Sequence, residues 1–84
     1  MPATKSWFVY LVRCSDRTYY CGVTNNKKKR LAAHNAGTGA KYTRSRRPVV
    51  LVWSRRCRTK SLAFQAEYAT KLLRRAQKRR LIGS

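Results

Sequence analysis

Acidic residues are almost missing from this chain: Asp16 and Glu67 stand against twenty-one Lys and Arg, and the formal charge is +19. At that density self-repulsion disfavours compaction unless a polyanion screens it, so nucleic acid is the expected partner. Histidine is nearly missing too. One His, and three cysteines of which no two form a CxxC pair, cannot complete a zinc-ligand pattern. An odd number of cysteines, Cys14, Cys21 and Cys57, reads as reduced thiols packed as small hydrophobes, with no disulfide-linked partner. Long apolar runs are missing. An anionic membrane surface is the competing polyanion, but no segment could span a bilayer, and MPATKSW lacks the apolar core of a secretory leader. The expectation is a cytoplasmic protein with no membrane association. The 84 residues form one domain, 1–84, too small for a second core or a large enclosed pocket.

What is present alternates in character. WFVYLVRC, 7–14, is aromatic and β-branched with almost no polar alternation, as expected of a strand covered on both faces. Ser15-Asp16-Arg17 supplies a turn, and TYYCGV, 18–23, a hairpin partner. Thr24, Asn25 or Asn26 can cap a helix running to Asn35, with Gly37 as its left-handed terminator. GTGAKYTRSRRP, 37–48, reads as a loop and not a helix. Val49–Trp53 gives a third strand extending toward Cys57. Thr59 or Ser61 caps a second helix of about fifteen residues with Leu62, Ala66, Ala69 and Leu73 as its core stripe. RAQKRRLIGS adds a short helical turn packing Leu81 and Ile82. The fold class is α/β, a small three-stranded, mostly antiparallel sheet flanked by helices in the order β-β-α-β-α(-α).

The hairpin carries a geometric test. A three-residue turn sets Tyr10 opposite Gly22 and Tyr20 opposite Val12, so that both hydroxyls face one way; an even-length turn would separate them. Gly22 would leave open space beside Tyr10 for an approaching backbone. On the first helix Lys27, Arg30 and His34 share a ridge. A charged fork and a near-neutral imidazole suit phosphodiester chemistry, although a lone His on a basic helix also reads as a surface residue. Counted at 100° per residue, Glu67 falls roughly 140° from the expected core stripe. It reads either as a surface ion pair with Lys71 worth about 0.3–0.5 kcal/mol, or as a single-carboxylate Mg²⁺ ligand that keeps several waters.

Phe8-Val9-Tyr10, then Tyr20-Cys21-Gly22 after nine residues, then a helix with Arg30 and His34, then a helical Glu67: this ordered set resembles the GIY-YIG nuclease superfamily. GAKYTRSRRP and AEYATKLLRRAQKRRLI are similar, more narrowly, to the small stand-alone bacterial GIY-YIG domains of the UPF0213 kind. The resemblance spans Trp7 to about Ile82. It implies a Mg²⁺-dependent endonuclease, with Mn²⁺ as a substitute. Tyr10 would act on, or lie beside, the attacking water. Tyr20 would hydrogen-bond around the scissile phosphate, Arg30 would stabilise the transition state, His34 would stand one turn later, and Glu67 would be the sole protein ligand to the metal. The chain departs from the family name at Phe8, in place of a glycine that leaves the strand start open, and at YCG in place of YIG. Some branches add a late asparagine; here only Gln77 and basic residues stand in that region. A phenol needs nearby cations to ionise near neutrality, and Arg30 with the Lys27–Lys29 run would favour that.

Lys41, Tyr42, Arg44, Arg46 and Arg47 combine cations with one aromatic as strand-gripping loops do, Tyr42 stacking a base. The same composition also suits an irregular solvated loop. Lys71, Arg74, Arg75, Lys78, Arg79 and Arg80 add a basic flank. No recognition helix with base-reading Asn or Gln is apparent, so little sequence specificity is expected, and the small size favours single-stranded DNA over duplex. Two other readings are a non-catalytic basic DNA- or RNA-binding module and a ribosome-associated or RNA-packaging protein.

Overall fold

The computed structural model describes residues 6–83. Residues 1–5 of MPATKSW, on which the expectation about a secretory leader falls, and Ser84 at the end of RAQKRRLIGS lie outside the described residues. The chain runs β1 Trp7–Arg13, β2 Tyr19–Thr24, α1 Lys27–Ala36, α2 Lys41–Arg44, β3 Val50–Cys57, α3 Lys60–Lys71 and α4 Arg75–Ile82. The sheet order is β2-β1-β3 and both pairings are antiparallel. The aromatic, β-branched β1 is therefore the central strand, as its unbroken apolar character requires.

The hairpin turn holds three residues. Cys14 N–H donates to Thr18 O at 2.8 Å, and β1 and β2 register with Tyr10 opposite Gly22 and Val12 opposite Tyr20. Side-chain alternation then divides the apolar residues between two faces. Tyr10, Val12 and Cys14 gather with Tyr20, Val49, Leu31 and Leu51 on the face covered by α1. Val9, Leu11 and Cys21 gather with Trp53 and Ala66 on the face covered by α3. Asn26 Oδ1 accepts from Lys29 N–H at 3.1 Å to cap α1, and Gly37 closes it in the left-handed conformation.

Three expectations change. The segment 37–48 contains a helical turn, α2, whose one buried residue is Thr43; a turn so short leaves no periodic signal. On α3, capped by Thr59, the buried residues are Ala63 and Thr70, whereas Leu62 is 45% exposed and Ala69 is also exposed. Apolarity alone selects the wrong stripe because the inward positions carry small residues, and Thr70 satisfies its hydroxyl by donating to Ala66 O at 2.7 Å. The C-terminal turn is an eight-residue helix, and Leu81 is exposed. Gln77 has a local task there, its Oε1 accepting from Arg74 N–H at 2.8 Å at the start of α4.

Candidate active site

On the α1 face, His34 is fully buried and Tyr10 is 2% exposed. The Tyr10 hydroxyl lies 2.8 Å from His34 Nε2, and Arg30 Nε–H donates to the same hydroxyl oxygen at 3.3 Å. His34 Nδ1 lies 2.8 Å from Thr43 Oγ1, which is 3.0 Å from Ala40 O. A carbonyl brings no proton, so when the Thr43 hydroxyl donates to Ala40 O it accepts from His34 Nδ1–H. On that pattern Nε2 is bare and accepts from Tyr10 O–H; the Ala40 N–H, which points at Nδ1 from 3.5 Å, fits the other tautomer, so the ring nitrogen that carries the proton is the quantity to measure. With Nε2 bare, the result is one directional chain, Arg30 Nε–H to Tyr10 O–H to His34 Nε2, then His34 Nδ1–H to Thr43 O–H to Ala40 O.

The surroundings are built to close on these groups. A Cβ on Gly22 would stand 2.5 Å from the Tyr10 hydroxyl oxygen and 2.7 Å from Cζ. The space beside Tyr10 is thus filled by its own ring and not held open for a second molecule. A Cβ on Gly39 would stand 2.5 Å from His34 Nδ1 and 2.9 Å from its Cα, so that glycine lets the loop close over the imidazole. Tyr20 meets His34 edge-on at 5.3 Å between ring centroids and stacks on Tyr42 at 5.7 Å. Arg46 sits 4.0 Å from the centre of the Tyr42 ring, so a base stacked on Tyr42 would have to displace Arg46 or Tyr20.

Burial, and next the nearby Arg30 cation, hold the His34 imidazolium below the usual histidine range, consistent with a neutral ring. Burial pushes the Tyr10 phenol above its usual value, and the opposing pull of Arg30 does not overcome it. The cations therefore do not ionise Tyr10 as the residue types suggested; desolvation wins. The hydroxyl of Tyr10, foremost, favours the charged form of Arg30.

The cationic residues divide by attachment. Lys27 lines the same small hollow as Tyr10 and Arg30, donates to Ser54 Oγ at 3.2 Å, and rests 4.4 Å over the Phe8 ring. Phe8 thus offers its ring face to a cation. Arg46 is tied to Asp16 at 2.9 Å and to Tyr42 O at 2.8 Å, and Arg47 to Arg44 O at 2.8 Å. Both brace the 37–48 segment. Lys41, Arg44 and Arg74 are exposed.

Glu67 is not among the hydrogen-bonded group. It lies on α3, across the sheet from Tyr10, where Cys21 Sγ approaches Glu67 O at 4.0 Å. Burial, and then the Glu67 carboxylate, push the Cys21 thiol up to about 11. Glu67 falls within about 40° of Ala63 around the helix, so it belongs to the inward side and not to a position far from the core. Its side chain is 18% exposed and pairs with Lys71 Nζ at 3.5 Å. Among the described residues no three His, Cys, Asp or Glu converge. One half-buried carboxylate with no companion suits a hard, water-rich ion such as Mg²⁺ and does not suit zinc.

A small antiparallel α/β domain with a tyrosine–histidine–arginine chain under a strongly basic surface has the form of a phosphodiester-processing domain. The comparisons make that specific. The family model described as the GIY-YIG catalytic domain matches residues 6–80. A UPF0213 protein of Desulfotalea psychrophila is 50% identical over 78 residues, covering 92% of this chain and 71% of that one. UPF0213 protein YazA of Bacillus subtilis is 48% identical over 75 residues, covering 89% and 76%. Among solved structures, a protein of E. faecalis aligns with a TM-score of 0.61 at 45% identity over 93% of this chain and 83% of that one. The UPF0213 protein of Bacillus halodurans aligns at 0.58 and 38% identity, over 92% and 82%. This chain belongs to the GIY-YIG nuclease family.

Sequence reasoning missed Thr43 and Gly39. Neither carries a motif signal; both matter because the loop folds back on His34. No helix among the described residues is long and apolar enough to cross a membrane.

Proposed function

We propose that the chain is a divalent-metal-dependent endonuclease that hydrolyses DNA phosphodiester bonds, acting on single strands with little sequence preference. The observation that carries this reading is the hydrogen-bonded chain from Arg30 through Tyr10 to His34. A water that gives its proton to the Tyr10 oxygen can do so as Tyr10 passes its own proton to the bare His34 Nε2, so no free phenolate is required. Thr43 keeps Nε2 bare by holding the other ring proton. Arg30 uses Nε on Tyr10 and has its remaining guanidinium N–H groups for phosphoryl oxygens. Tyr20, packed on His34, would orient the phosphate. A bound Mg²⁺, or Mn²⁺ in its place, would polarise a phosphoryl oxygen, with Glu67 as its protein ligand.

Glu67 lies across the sheet from the chain, and this favours the second reading, a non-catalytic basic module that binds nucleic acid. Labelled single-stranded DNA incubated with Mg²⁺, Mn²⁺ or chelator separates them. Cleavage that needs metal and fails in Glu67→Ala supports the enzyme. Undiminished cleavage by Glu67→Ala would remove the metal role.

A further inference from the structure

A second concentration of unpaired charge lies away from Tyr10 and Tyr20. Arg13, Arg17, Arg75 and Arg79 line a cleft of about 570 Å³ at the turn end of the hairpin, with Tyr19 and Pro48 in its wall. Arg75 stands 5.7 Å over the Tyr19 ring. None of the four has a carboxylate to meet. Asp16 is engaged by Arg46 and Glu67 by Lys71, and the chain has no other acidic side chain. Four like charges brought to one concavity without a counter-charge repel one another unless an anion fills it. Arg17 adds a separate sign. It occupies the turn at a φ of 69°, a conformation that favours glycine or asparagine, yet the position carries a guanidinium that lines the cleft.

A second cleft, of about 470 Å³, is lined by Asn35, Arg44, Ser45, Arg47 and Pro48. Pro48 belongs to both. The two are braced together, since Ser15 N–H donates to Arg46 O at 2.9 Å and joins the hairpin turn to the loop that carries Tyr42. The cations therefore form a track from Arg79 past Pro48 to Arg44 and on to Tyr42, which stacks on Tyr20. A small anion would need one concavity. An extended polyanion uses both.

We propose that these clefts are one binding track for the sugar-phosphate backbone of a nucleic-acid strand, holding the length of strand that leads away from the tyrosine cluster. This rests on the nuclease reading only for which end is cut; binding itself is independent of cleavage. The test is equilibrium binding of a fluorescent single-stranded oligonucleotide in chelator, across a salt series. The probe is long enough to run from Tyr20 past Arg79. A variant with Gln at Arg13, Arg17, Arg75 and Arg79 is compared with one carrying Gln at Arg55, Arg56, Arg58 and Lys60, which loses the same charge elsewhere. Circular dichroism checks that both remain folded. Each phosphate contact on a single strand contributes about 0.7 to the slope of log K against log salt. The cleft variant should lose about 2.8 of that slope, the control should keep it, and inorganic pyrophosphate should displace the strand from the wild type no better than sodium chloride of equal ionic strength. Equal slope losses in the two variants would overturn the proposal by showing that net charge alone sets affinity. Ready displacement by pyrophosphate would overturn it by showing that the cleft takes a small anion.

Discussion

Replacing Thr43 by valine tests the hydrogen-bond chain where it is most buried. Valine matches threonine in shape and removes the acceptor for His34 Nδ1–H, while Ala40 O keeps the Thr43 amide at 3.2 Å. Thr43 and His34 are both fully buried, so no water replaces the lost partner. A buried donor left unsatisfied costs about 1–3 kcal/mol. In a domain of this size about 2 kcal/mol lowers the melting temperature by about 8–16 °C. Thr43→Ser keeps the hydroxyl and gives up one methyl, about 0.8 kcal/mol. A second readout is the ring itself. Without Thr43 Oγ1, the nearest polar group to Nδ1 is the Ala40 amide at 3.5 Å, a donor, so the proton should move to Nε2 and reverse the bond to Tyr10. Thermal unfolding gives the first quantity and ¹⁵N chemical shifts of the imidazole the second. Valine and serine variants with equal melting temperatures and unchanged ¹⁵N shifts would refute the assigned direction of the chain.

The remaining expectations follow from the same group. Because the folded-state value of His34 lies below the unfolded value of about 6.5, its contribution is complete above that pH and is lost as pH falls through the folded value. Urea unfolding from pH 8 to 5 should show stability declining, by at most about 1.4 kcal/mol per unit for one proton, and His34→Gln should flatten that part of the curve; equal wild-type stability at both ends would contradict it. Gly22→Ala places a methyl against the Tyr10 hydroxyl, so urea unfolding should show about 1–3 kcal/mol of stability lost; wild-type stability would contradict the close packing of Tyr10 on Gly22. Arg30→Lys keeps the charge but cannot hold Tyr10 and a phosphate together; cleavage should fall about a hundredfold or more with oligonucleotide affinity little changed, whereas wild-type rates would show that charge alone suffices.

Much of the scaffold was legible because it rests on local rules. The three-residue turn fixed the register, and register put Tyr10 and Tyr20 on one face. Gly37 closes the first helix as capping chemistry requires, and of the three candidate caps Thr24, Asn25 and Asn26 the structure uses Asn26. What was not legible depends on closure at a distance. The position of Thr43 beneath His34 needs the 37–48 segment to fold back, which no periodicity announces. The phenol of Tyr10 was expected to ionise among cations, but its burial could be known only from the packing of α1 on the sheet. On α3 the inward stripe is made of Ala63, Ala66 and Thr70, small residues at close approach. A stripe drawn through the apolar Leu62 and Ala69 lies about 60° around the helix from this one and faces Glu67 away from the body.

The central claim is that the buried Arg30–Tyr10–His34 chain serves phosphodiester hydrolysis, and its most direct measurement is cleavage of labelled single-stranded DNA with Mg²⁺ by the wild type and by Tyr10→Phe. The variant keeps the ring against Gly22 and removes the proton path. The account predicts metal-dependent cleavage by the wild type, abolished by chelator and reduced at least a hundredfold in Tyr10→Phe with binding retained. A wild type that binds DNA tightly at low salt and cuts neither single strands nor duplex, or a Tyr10→Phe variant that cuts at the wild-type rate, would contradict it.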